Sequence, residues 1–100
     1  AVDTLLALSQ QIASIVSQGD DIVRSNSQQL SELISLLGDQ LSMQQPKVDR
    51  QVAQALQKAV TSLAEAQNAM FQSMAIAEMC LYVKGAEQVV KDIIAQGQVQ

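Results

Sequence analysis

Apolar residues recur at steps of three and four along the first forty positions, which is the spacing of one face of an α-helix. Asp3 precedes this stripe and is a suitable N-cap for a helix. The stripe predicts a helix over residues 4–43. Its apolar members are Leu5, Leu8, Ile12, Ile15, Ile22, Leu30, Leu33, Leu37 and Leu41.

Gly19 and Asn26 also fall on this stripe. Gly19 fits either a close crossing of two helices or a break, with Asp20 capping a new helix. The unbroken register favours a continuous helix, with a kink or break near Gly19 as the alternative. Asn26 either fixes the register of helix pairing or marks a point where the stripe meets water.

Pro46 predicts the turn that ends the first helix, because proline disfavours helical geometry at the residue before it. We expect a turn over residues 44–47 and a second helix over residues 47–95. Two such helices predict an all-α fold, a long antiparallel hairpin of about 60 Å within a single domain. The apolar seam of the second helix contains Val52, Leu56, Ala59, Leu63, Ala66, Met70, Met74, Ala77 and Leu81.

The second helix carries more apolar surface than one neighbouring helix can cover, most of all between Ala69 and Val83. Monomers avoid exposing contiguous apolar patches of this size. The hairpin is therefore predicted to be oligomeric, with coiled-coil packing between chains. The interface is predicted to contain Leu63, Met70, Phe71, Met74, Ala77, Leu81 and Tyr82.

Candidate chemistry is scarce, since the chain contains no histidine and its four glycines stand apart. The commonest general base, the usual zinc ligand and a glycine-rich phosphate loop are therefore all missing. We expect no enzyme activity, no cofactor and no metal. The net charge is −4 and the basic residues are dispersed, which argues against nucleic-acid binding.

The most apolar window is shorter than the roughly 20 residues that cross a bilayer, so membrane contact is expected only from an assembly. The lone Cys80 has no partner for an internal disulfide and is expected to be a buried structural thiol. No basic start followed by an apolar run is seen. These features predict a cytoplasmic protein, although secretion by a route without a signal peptide also fits.

Four short motifs resemble the killing-trait family, the helical subunits of bacterial R-bodies. They are Leu37-Gly38-Asp39, Ala53-Gln54-Ala55-Leu56, Ala59-Val60 and Leu81-Tyr82. The glutamine block that usually follows the Ala-Val motif is replaced by Ser62-Leu63-Ala64-Glu65, and residues 1–36 carry no part of the likeness. The resemblance implies a subunit without an active site, which polymerises into a coiled protein ribbon that unrolls on a trigger and ruptures membranes.

The sequence thus predicts a non-enzymatic structural subunit that binds itself, or a homologous helical subunit, through apolar helix faces. The alternative is a small helical hairpin that pairs with one partner, as in the Trp-x-Gly secretion family or the needle and rod subunits of type III secretion. Tryptophan is absent from the chain, so the Trp-x-Gly turn itself is missing.

Overall fold

The computed structural model describes the backbone of residues 2–43, 48–71 and 77–99, and the side chains of residues 2–42, 48–71 and 78–97. Every regular element in these ranges is an α-helix, which confirms the predicted all-α class. The helices are α1 (Val2–Val16), α2 (Asp20–Ser25), α3 (Ser27–Met43), α4 (Arg50–Met70) and α5 (Ala77–Val99).

The expected continuous helix over residues 4–43 is wrong, and the alternative of a break near Gly19 is confirmed. This glycine has φ 114° and ψ 167°, a backbone conformation that is essentially restricted to glycine. A second break follows at Asn26, whose side-chain amide donates to the Ile22 carbonyl over 2.7 Å. Asp3 lies inside the first turn of α1 rather than at its N-cap.

The expected single helix over residues 47–95 is also wrong. Its first part, α4, begins at Arg50, where the Asp49 carboxylate accepts a 2.8 Å hydrogen bond from the Val52 amide and caps the helix. The second part, α5, packs beside α4 in the opposite direction, since Gly97 lies against Val48 at the start of α4. The predicted turn at residues 44–47 lies outside the described residues.

The four longer helices form a bundle in which α1 packs against α3 and α4, and α5 packs against the same two helices. The start of α1 lies beside the start of α4, and Ser14 lies near Ser62 and Glu65. These two helices therefore run in the same direction. The molecule measures 44 × 20 × 19 Å, so it is shorter and thicker than the expected hairpin of about 60 Å.

The core explains why a bundle replaces the hairpin. All four longer helices contribute buried side chains to one apolar cluster, so the N-terminal half of the chain covers apolar surface that the hairpin would have left exposed. Burying a Leu-sized side chain is worth about 1.5–3 kcal/mol. The larger fully buried members of this cluster are Ile12, Leu30, Leu37, Leu56, Leu63, Met70, Val83 and Val90.

Candidate functional site: the groove between α3 and α5

An apolar groove lies between α3 and α5, and its α3 side is built from small side chains. Ser31, Ser35, Gly38 and Ser42 follow one another at steps of four, three and four residues, which places them on one face of the helix. A Cβ atom built on Gly38 meets nothing within 4 Å. The Ser42 hydroxyl donates to the Asp39 carbonyl over 2.9 Å, so this polar group is satisfied within its own helix.

The α5 side is built from larger side chains. Met79, Tyr82, Ala86 and Val89 follow at steps of three, four and three residues. Ala86 is buried, whereas Tyr82 is 65% and Val89 is 42% exposed. The row of protruding apolar side chains on α5 therefore lies alongside the row of small side chains on α3.

Between these rows lies an open groove of about 670 Å³, and Ile34 and Leu41 complete its lining. None of the lining residues is charged, so the groove suits an apolar side of another helix rather than an ionic ligand. The cleft of about 630 Å³ between the starts of α1 and α4 differs, because Asp3 and Lys58 are among its lining residues. The α3–α5 groove is the candidate functional site.

The residues that the sequence predicted as an interface divide into two sets. Leu63 and Met70 are fully buried inside the bundle, where this chain itself covers them. Phe71, Leu81 and Tyr82 are 85%, 69% and 65% exposed.

Of the exposed set, Tyr82 lines the groove. Phe71 is the C-cap of α4, and Leu81 points away from the core on α5. Met74 and the side chain of Ala77 lie outside the described residues.

The α3 wall was absent from the sequence-based interface. Its signal in the sequence is the regular series of serine and glycine at positions 31, 35, 38 and 42, which marks a helix face open to close approach. On α5, Met79, Ala86 and Val89 were missed as well, because the predicted interface followed the apolar seam only as far as Tyr82.

Neither a metal-ligand group nor a membrane-spanning helix is found in the described parts of the chain. Within them, no group of three cysteine or acidic side chains is placed to hold a metal ion. None of the helices described is both long enough and apolar enough to cross a bilayer. Cys80 is partly buried on α5, and its sulfur lies 4.0 Å from the Gln67 carbonyl oxygen on α4.

Comparison of the chain with protein-family models, with curated proteins and with solved structures finds no match.

Proposed function

We propose that this protein is a non-enzymatic structural subunit that assembles with copies of itself through apolar helix surfaces. The observation that carries the proposal is the uncharged groove between α3 and α5 beside the exposed Tyr82 and Val89. Packing a helix into such a groove removes apolar surface from water at about 25 cal/mol per Å².

The occupant proposed for the groove is a second copy of this chain. A small-residue row and a protruding apolar row lie side by side on the same surface, so two copies related by a two-fold axis bring protruding side chains opposite small ones. The lack of charge in the groove means that like charges do not oppose this contact.

Growth beyond a dimer needs a second contact surface on each subunit. Phe71 and Leu81 supply it, because both are more than two-thirds exposed and neither lines the groove. A subunit with two separate adhesive surfaces can join two neighbours at once, which gives an open-ended polymer.

A ribbon of the R-body kind is the form of polymer that the sequence resemblance favours. Two of the motifs that carry this resemblance contribute to the groove from opposite sides. Gly38 of Leu37-Gly38-Asp39 lies in the α3 wall, and Tyr82 of Leu81-Tyr82 lies in the α5 wall.

The test is light scattering of the purified protein across a dilution series. We expect the mean mass of the wild-type protein to rise continuously with concentration. A discrete dimer would instead support the alternative, a partner-binding module, and a monomer at every concentration would contradict self-assembly altogether.

A pair of neighbouring substitutions locates the interface. Val89→Lys places a charge in the groove and should lower the mean mass, since burying an unpaired charge is costly. Gln88→Lys adds the same charge at an exposed position outside the groove, where Asp92 lies in hydrogen-bonding range. It should therefore assemble like the wild type.

Gly38→Leu tests the opposite wall. The space around Gly38 within one chain is open, so the variant should fold normally while its side chain fills the groove. Assembly of Gly38→Leu and Val89→Lys at wild-type levels would show that the groove is not the interface.

A further inference from the structure

A seven-residue repeat runs through α1, α2 and α3, although two breaks separate these helices. Ser9, Val16, Val23, Leu30 and Leu37 follow one another at intervals of seven, and each is at most 3% exposed. A regular seven-residue repeat of buried positions is the pattern of one continuous helix in a coiled coil. In the bundle, the helix that carries this repeat is broken twice, although the repeat of buried positions continues.

A second series with the same interval accompanies the first. It contains Leu5, Ile12, Gly19, Asn26 and Leu33. Together the two series form the alternating three and four spacing of a coiled-coil seam over residues 5–37. The two members of the second series that are not apolar, Gly19 and Asn26, are the two residues at which the helix breaks.

Some backbone hydrogen bonds of a continuous helix are already present at the two breaks. At the second break, the Asn26 amide already donates to Ile22 and the Leu30 amide to Asn26, both with helical spacing. At the first break, the Ser17 amide donates to Ala13 and the Val23 amide to Gly19 with the same spacing. The amides of residues 18–22 and 27–29 would have to take up partners with helical spacing.

We propose that residues 2–43 also form one continuous helix, and that α1 then leaves its own bundle and packs on α4 of a second copy. The α1 of each copy occupies the place that α1 has left in the other copy. This reciprocal exchange restores the contacts of Leu5, Leu8 and Ile12. The two forms differ at the breaks rather than in the core, which is the requirement for domain swapping. This inference uses the α1–α4 contact and does not depend on the α3–α5 groove.

Gly19→Ala is the substitution that tests the exchange. Alanine favours helix over glycine by an amount that alone shifts the ratio of the continuous to the broken form about fivefold. Alanine is also strained at φ 114°, the conformation of Gly19 in the broken form. This strain destabilises the broken form and raises the ratio further. We expect the ratio of exchanged to compact molecules to rise at least about tenfold, measured within one chain by the spin-label distance described below.

Gly85→Ala is the matched control, because Gly85 is a helical glycine whose Cβ would meet nothing within 4 Å. This variant gains the same helix preference without changing the Gly19 hinge. It should keep the wild-type ratio of exchanged to compact molecules. An equal rise of the exchanged form in both variants would overturn the proposal.

A distance measurement distinguishes exchange from association through the groove. Spin labels on Thr4→Cys and Asp39→Cys, in a Cys80→Ser background, lie about 52 Å apart in a continuous helix. The compact molecule is only 44 Å long, and its packed α1 and α3 place the labels closer together. Dilution with unlabelled protein keeps the measured distance within one chain.

Adding Gly19→Ala should populate the distance near 50 Å while circular dichroism shows unchanged or increased helix. A Gly19→Ala protein that stays compact with the short distance, or that loses helix, would show the inference to be wrong. Association through the groove would persist in either case, so the failure of one proposal is separable from the failure of the other.

Discussion

At the scale of single residues, burial separates side chains that look equivalent in the sequence. Leu63 and Leu81 both lie on the predicted seam of the second half of the chain. Leu63 is fully buried in the bundle, whereas Leu81 is 69% exposed. The first therefore contributes to the stability of one chain, and the second is free to contact another molecule.

This difference predicts opposite phenotypes for two alanine substitutions. Leu63→Ala should lower the free energy of unfolding by about 2–5 kcal/mol, because it removes buried methyl groups and leaves a cavity. Leu81→Ala should change the same quantity by less than about 0.5 kcal/mol. Urea denaturation at low protein concentration, where association is weakest, measures both values. A Leu81→Ala variant as unstable as Leu63→Ala would show that Leu81 belongs to the core.

At the scale of the elements, the ends of helices were harder to predict than their existence. The pattern indicated helices in both halves of the chain. It did not show that the second half divides into α4 and α5. Nor did it identify Asp49, whose carboxylate accepts from the Val52 amide and sets the start of α4.

The cap predicts a specific loss on substitution. Asp49→Ala leaves the Val52 amide without its partner and should lower the free energy of unfolding by about 1 kcal/mol. Asp49→Asn keeps an acceptor oxygen and should stay close to the wild type in thermal denaturation. If both substitutions cost the same, the charge of Asp49 rather than the capping bond would be responsible.

At the scale of the whole molecule, the contact between the end of α5 and the start of α4 closes one end of the bundle. A Cβ atom on Gly97 would collide with the Val48 side chain, including the Cβ atom of Val48. This contact leaves room only for glycine, whereas Gly85 on the same helix has open space.

Two glycine substitutions in α5 should therefore shift stability in opposite directions. Gly97→Ala should lower the free energy of unfolding by about 1–2 kcal/mol, because the overpacked contact outweighs the gain in helix preference. Gly85→Ala should raise it by about 0.5–1 kcal/mol. Calorimetry of both variants checks the signs, and a stabilised Gly97→Ala would show that the two helix ends do not meet.

The sequence by itself determined the helical class, because the spacing of apolar residues and the scarcity of proline and glycine act within each segment. It also picked out Phe71, Leu81 and Tyr82, whose exposure the structure shows. It placed Leu63 and Met70 on the same surface, because a seam pattern records which residues share a helix face and not which neighbour covers them.

Only the tertiary structure decided where the helices break and which apolar residues remain uncovered. The stripe through Gly19 is compatible with a continuous helix, and packing of α1 against α3 and α4 selects the broken form instead. The groove likewise joins residues from α3 and α5 that are distant in the chain. Such choices depend on the free energy of burial summed over the whole molecule. A local sequence pattern does not specify the long-range contacts that determine this sum.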